Sequence, residues 1–208
     1  MNPLVSLLCS RQSLGPKHLV DPGPGDAELA QMAEAALHAP DHGELMPVRF
    51  AVVRGAARAR LAALFAQAAR DAGKDEAGAA LDAERAARAP VTLAVVARVD
   101  RGHMLVPEHE QWVAVGAALA NLMNAAHALG FAGKMLSGAK VRNAAIQAAF
   151  CGPGETLVGW VALGSAARAP GPRRPKSGAA TVLAEWSGRG ARIRSGSRRS
   201  AQGGRSSV

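Results

Sequence analysis

The chain has 208 residues, enough for one ordinary domain or a domain with a tail. Hydrophobic residues make up 49% of it, which excludes a wholly disordered protein, while aromatics are 3% and Tyr is absent, so the core is expected to come from closely approaching, Ala-faced helices rather than rings. The net charge of +9 points as a whole to nucleic acid or an anionic membrane surface, but residues 1–167 hold 15 Lys/Arg and 15 Asp/Glu, and the excess lies in 168–208, where ten cations face Glu185 alone.

In chain order, residues 2–9 read as a short helix ending near Arg11, and Asp21-Pro22-Gly23-Pro24-Gly25 as a loop. An amphipathic helix follows over 26–38, with Leu29, Ala33, Ala36 and Leu37 on its apolar face and Pro40 to stop it. Residues 50–53 read as a buried strand, 56–72 and 77–88 as Ala-rich helices, and 91–96 as a strong strand after Pro90. A long helix is expected over 108–129, with Gly130 as its terminator. A short strand over 131–136, a helix over 141–150 and a strand over 156–163 complete an alternation of strands and helices around one sheet. Residues 181–186 read as one more short element, and the Arg/Ser/Gly-rich stretch 188–208 as a disordered basic tail.

The run 111–133 carries no Asp, Glu, Lys or Arg, yet it contains Asn121, Asn124 and His127 and is rich in Ala and Gly, which suits a buried core helix better than a membrane span. Residues 1–10 make a poor signal peptide, and two cysteines, Cys9 and Cys151, read as reduced thiols, so a cytoplasmic location is expected.

Neither G-x-G-x-x-G after a strand nor G-x-x-x-x-G-K-[ST] occurs, so the two commonest nucleotide-binding loops are excluded. His38 and His42 stand four apart, but Pro40 between them breaks the helix that would make them joint metal ligands; a structural role for His42 in the turn stands beside a role presenting donors to a polar or anionic group. Arg11-Gln12-Ser13 sets a guanidinium, an amide and a hydroxyl on consecutive residues, a compact clamp for an anion.

The order of these pieces resembles the FMN-dependent nitroreductase family, most of all its short, single-domain NAD(P)H type. Arg11-Gln12-Ser13, then His38-Ala-Pro-Asp-His42 with Pro47 and a Phe-Ala-Val-Val strand, open the resemblance. It continues through Arg88-Ala-Pro90, Glu110-Gln111, Gly116-Ala-Ala-Leu-Ala-Asn121, Ser137-Gly138 and Val158-Gly-Trp-Val-Ala-Leu-Gly164, and reaches Ala184-Glu185-Trp186. It covers about residues 3–187, and 188–208 have no counterpart.

The resemblance implies an α+β, nitroreductase-like fold with a central mixed or antiparallel sheet flanked by helices, in a homodimer with a long buried central helix and FMN at the interface. A domain over 1–187 would bind FMN through Arg11, Gln12 and Ser13, with His38 and His42 near the cofactor and Met135, Leu136 and Ser137 as a second flavin-contacting segment. Residues Ala125, Ala126, His127, Ala128, Leu129 and Gly130 match the stretch associated with NAD(P)H. The implied chemistry is ping-pong hydride transfer through the flavin to a nitro compound or a quinone-like acceptor, with no catalytic side chain singled out and no metal.

Where the family carries a second Arg, this chain has Gln12; where it has Trp-Arg, this chain has Met135-Leu136; where it has an amide before Pro-Trp, this chain has Met46-Pro47-Val48. Those departures leave open a flavin-poor family member acting as a binding or structural dimer. The basic tail leaves open a nucleic-acid binder.

Overall fold

Two near-continuous apolar runs, strands β3 (Val91–Ala97) and β5 (Thr156–Ala166), pair antiparallel and form the middle of a sheet. In the computed structural model, which describes residues 1–169, 171 and 178–186, every residue of β3 is buried. Strand β2 (Val48–Arg54) pairs with the far side of β3, and β4 (Ala132–Leu136) with the far side of β5, giving the order β2-β3-β5-β4. Strand β1 (Leu19–Val20) adds to the last residues of β5, and all of these ladders are antiparallel.

Strand alternation sorts the core into two layers. Val91, Leu93, Val95, Val161 and Leu163 face helices α2 (Asp26–Leu37) and α5 (Glu108–Ala128), where Met32, Ala118, Leu122 and Ala126 meet them. Ala94, Val96 and Trp160 face the opposite layer, built from α3 (Ala57–Asp71) and α6 (Ala144–Phe150). Helix α4 (Glu76–Ala87) packs on α3 through an apolar cluster of Ala66, Ala69, Ala79 and Ala83, flanked by the Arg70–Glu76 ion pair and by Arg58 donating to Ala87 O. Helix α1 (Pro3–Ser10) buries none of its residues.

Local chemistry sets the element ends. Asn2, Asp75 and Asn143 accept hydrogen bonds from the first turns of α1, α4 and α6, each such cap stabilising a helix by about 1 kcal/mol. At the end of α5, Gly130 takes φ +87°, the Gly130 N–H donates to His127 O and the Phe131 N–H to Ala126 O. That paired pattern is the left-handed glycine cap expected for Gly130.

The structure departs from the sequence expectations in four places. Phe131 belongs to the cap of α5, so β4 begins at Ala132. Residues Ala139–Arg142 form a 3-10 turn, and α6 starts only at Ala144, after its Asn143 cap. Strand β1 was not expected: two residues become a strand only because β5 extends to Ala166 to receive them. Within one chain α5 is buried along a single stripe, Gln111, Ala114, Val115, Ala118, Leu122 and Ala126, while Val113 on another face is 68% exposed. No described helix is long and apolar enough to cross a membrane.

The chain divides into units 1–170 and 171–208. Of the second, the described part is Gly171 and residues 178–186, where Ala179–Thr181 make a 3-10 turn and 182–186 have no regular structure. The tail expected over 188–208 lies outside the described residues.

One ion pair ties β2 to the turn before β5. Arg49 Nε donates to Glu155 Oε1 at 2.7 Å, its Nη2 bonds both Glu155 Oε2 and Phe150 O, and the Gly152 N–H donates to Glu155 Oε2 at 2.7 Å. The Arg49 hydrogen bonds, helped by Gly152, hold the Glu155 pKa down from 4.5 to about 2. A carboxylate with a depressed folded-state pKa stabilises the fold fully above its unfolded pKa and loses that contribution as pH falls toward the folded value. Urea unfolding between pH 7 and pH 2 should therefore show Glu155→Gln less stable than wild type at neutral pH, with the gap closing as pH falls from 4.5 toward 2.

Candidate active site

The residues after α1 run along the outer edge of β4. Ser13 forms a parallel bridge with Gly133, and the Leu14 N–H donates to Gly133 O at 3.0 Å. Gly133 is required there: a Cβ would stand 2.6 Å from Ala162 O and 2.8 Å from Leu163 Cδ2 on β5. The glycine lets β4 lie close on β5, and its backbone in turn holds the Arg11-Gln12-Ser13 segment against the sheet.

On the α2/α5 side of this edge, Arg11 and Gln12 line a concavity of about 220 Å³ together with Ala126, His127 and Gly130 from the end of α5. His127 also joins the ends of the two helices: its Nε2 lies 2.8 Å from Ser10 Oγ. The Ser10 hydroxyl donates its single proton to Leu7 O at 2.8 Å, so it receives the proton of His127 Nε2. Arg11, Gln12 and His127 are half-buried, Ser13 is exposed, and the glycine-capped helix end sets the rear wall.

On the α3/α6 side lies a cleft of about 920 Å³, bounded by Gly15, Pro16 and Lys17 from the same N-terminal segment and by Leu136 and Ser137 from the end of β4. Its floor is aromatic: Phe65 and Trp160 meet edge to face with centroids 5.0 Å apart. The Trp160 Nε1–H is buried and finds no hydrogen-bond partner among the described residues. Asp82, 6% exposed, reaches the wall from α4, and its Oδ2 accepts from Lys74 Nζ at 2.9 Å and from Lys140 Nζ at 2.7 Å. Burial alone would raise the Asp82 pKa, but the hydrogen bonds from Lys140 and Lys74 outweigh it and bring it below the ordinary value.

The fold thus gathers five of the expected residues, Arg11, Gln12, Ala126, His127 and Gly130, in one concavity and two, Leu136 and Ser137, in the other, with Ser13 bridging to the strand between them. Ala125, Leu129 and Met135 pack against the α2/α5 core instead, and Ala128 is exposed. His38 and His42 line neither concavity; His38 Nε2 pairs with Glu34 at 3.3 Å and His42 Nδ1 with Glu110 at 2.7 Å, both on the surface. Sequence reading singles out none of Lys74, Asp82 and Phe65, and it does not place Lys140 or the Trp160 of the last strand motif in the site. The available signal was Asp82, a carboxylate three residues from the buried Ala79 on the apolar stripe of an otherwise Ala-rich helix.

Residues 17–165 match the model of the nitroreductase family. The chain belongs to that family. It is 35% identical over 164 residues to the Escherichia coli K12 protein named "Putative NAD(P)H nitroreductase YdjA", across 77% of this chain and 87% of that one. A Haemophilus influenzae protein named "Putative NAD(P)H nitroreductase" is 34% identical over 165 residues, with the same coverage. A Bacillus cereus nitroreductase-like structure superposes with a TM-score of 0.74 at 18% identity, covering 90% of this chain and 98% of that one. A Desulfovibrio desulfuricans protein named "putative nitroreductase", solved in complex with FMN, has a TM-score of 0.65 at 25% identity, covering 89% of this chain and 98% of that one. The chain is thus an α+β nitroreductase fold of the oxidoreductase class.

Because Gly133 fixes both the N-terminal segment and β4, Gly133→Ala should destabilise the nitroreductase fold by about 1–3 kcal/mol, the usual cost of overpacking. Urea denaturation followed by circular dichroism measures it.

Proposed function

We propose that this chain is an FMN-dependent NAD(P)H oxidoreductase that acts as a homodimer and reduces nitroaromatic or quinone-like acceptors. The observation that carries this reading is the placement of Arg11 and Gln12 with Ala126, His127 and Gly130 in one concavity, while the same β4 edge leads Leu136 and Ser137 to an aromatic-floored cleft. The FMN complex of the Desulfovibrio desulfuricans relative and the names of the two bacterial homologues support it.

The residues present suit FMN. Arg11 supplies a bidentate cation, Gln12 an uncharged donor and Ser13 a hydroxyl for a phosphate and its ribityl chain. The cleft, within the roughly 300–1,000 Å³ of small-molecule sites, offers apolar rings for a planar ring system and a buried indole N–H lacking a partner among the described residues. When bound, FMN supplies two-electron chemistry, accepting a hydride from NAD(P)H and passing electrons to a second substrate in ping-pong order. The chain's own part is to hold and orient. Arg11 and Gln12 fix the anionic end, Ala126, His127 and Gly130 at the end of α5 bound the same concavity, and Phe65 with Trp160 excludes water from one side.

The homodimer is supported by what a single chain leaves open. On α1, Leu4 and Leu8 are 70% and 51% exposed, and Val113 on α5 is 68% exposed. A second copy lying on these faces would cover an apolar surface unusual for a monomer. It also gives His38 and His42 a route to a cofactor that they do not reach within their own chain. The enzyme is proposed to work in the cytoplasm, with Cys9 and Cys151 as free thiols.

The purified protein should be yellow, or should take up added FMN and oxidise NADH or NADPH. A colourless protein that does not take up FMN ends this reading. Arg11→Ala should weaken FMN by about 10- to 150-fold, the equivalent of one charge-assisted hydrogen bond, as measured by fluorescence titration. Truncation after Ser187 should leave NAD(P)H oxidation intact, the basic tail having no part in the site.

A further inference from the structure

Arg11 and Gln12 stand between two anchors. After them, Ser13 bridges to Gly133 and the Leu14 N–H donates to Gly133 O at 3.0 Å, which ties the chain to the edge of β4. Before them, α1 ends at Ser10, and Arg11 leaves the helix with ψ 129°. That end of α1 has little packing to seat it, because the helix buries none of its residues. A segment with few buried contacts opens easily unless something else ties it down.

The tie is a hydrogen bond. His127 Nε2–H donates to Ser10 Oγ at 2.8 Å, and the Ser10 hydroxyl donates in turn to Leu7 O at 2.8 Å, inside the last turn of α1. Among the described residues it is the one side-chain hydrogen bond from α1 to another element. The donor is itself well fixed. Ala126 beside it is 3% exposed in the α2/α5 core, and the Phe131 N–H bonded to Ala126 O closes the end of α5 around Gly130. A bond from a rigid helix end to a loosely packed helix positions the second of the two.

We propose that His127 is a positioning residue for the anion clamp: its hydrogen bond to Ser10 sets the end of α1, and with it the point from which Arg11 and Gln12 reach into the concavity. The inference rests on the FMN reading above. It adds a link between two segments, since the stretch that the resemblance associates with the nicotinamide nucleotide also holds the clamp for the flavin phosphate. His127 lines the same concavity as Arg11 and Gln12, so the rival role is direct contact with the ligand. The two roles differ in whether they need Ser10.

Fluorescence titration of the full-length protein, freed of flavin, compares FMN with riboflavin, which lacks the phosphate. His127→Ala should weaken FMN by about 2- to 10-fold, the equivalent of one neutral hydrogen bond, and leave riboflavin unchanged. Ser10→Ala should do the same, and the double variant should be no weaker than either single one, as for two partners in one interaction. His127→Gln, whose amide can donate in place of Nε2–H, should recover most of the FMN affinity. Amide hydrogen exchange of the flavin-free protein should be faster over residues 10–14 in His127→Ala and in Ser10→Ala than in wild type. Unchanged FMN affinity in His127→Ala, an equal loss for riboflavin, or an equal loss in His127→Gln overturns the inference. So do additive losses in the double variant, which would assign His127 to direct contact with the ligand, and so does unchanged exchange over 10–14 in both single variants. A wild-type protein that takes up neither flavin ends the oxidoreductase reading instead, and the exchange rates still decide whether His127 holds the clamp.

Discussion

The close approach of β4 to β5 is the constraint on which both concavities depend. Two glycines permit it from opposite strands: a Cβ at Gly133 would meet Ala162 O, and a Cβ at Gly159 would collide with the Leu136 carbonyl. Gly159 also sits where the register of β3 and β5 shifts, between Val95 and Val96. The strand that carries the site is thus seated at an irregularity, and such bulges commonly serve to re-aim a chain near functional residues. With β4 seated, its outer edge is free to pair with Ser13 and to receive Leu14, and the Arg11-Gln12 clamp follows.

The sheet then separates two electrostatic jobs. On one face, a clamp at the end of α1 meets the glycine-capped end of α5. On the other, the buried Asp82 would be costly alone, because removing a carboxylate from water takes several kcal/mol. Two ammonium groups on one of its oxygens offset that cost, and they come from different parts of the chain, one before α4 and one after β4. Asp82 therefore fixes where Lys140 stands, and the Phe65 ring fixes which way it faces.

Much of this was legible in the sequence, and the rest was not, for identifiable reasons. The continuous apolar runs of β3 and β5, the length of α5 and the glycine that ends it are local signals, and they appear where local chemistry puts them. Strand β1 is two residues long and owes its conformation to its partner, so no local preference could announce it. The Arg11-Gln12-Ser13 clamp was legible as chemistry, but its neighbours were legible only through the ordered motifs of a family. The Lys74–Asp82–Lys140 group was hidden because its pairs are 8 and 58 residues apart, and only folding joins them. The long helix was read as buried on nearly all sides from its lack of charge; one chain supplies partners for a single stripe, and Val113 remains open.

Net charge misleads here on two scales. The excess of the whole chain sits beyond residue 167, and residues 1–167 balance to zero. Yet that balance is an average over surfaces of different kinds. Several carboxylates are spent at exposed positions in pairs such as Arg54–Asp26, Arg70–Glu76 and Arg101–Glu108. Asp26 and Glu76 are 87% and 78% exposed there, where such pairs contribute little. In the cleft, by contrast, Asp82 is 6% exposed and holds Lys140 at 2.7 Å, while Lys17, Lys74, Arg85 and Arg142 around them are exposed. What a charge contributes therefore depends on how far it is held out of water and on what it is paired with, and not on how many charges the chain carries.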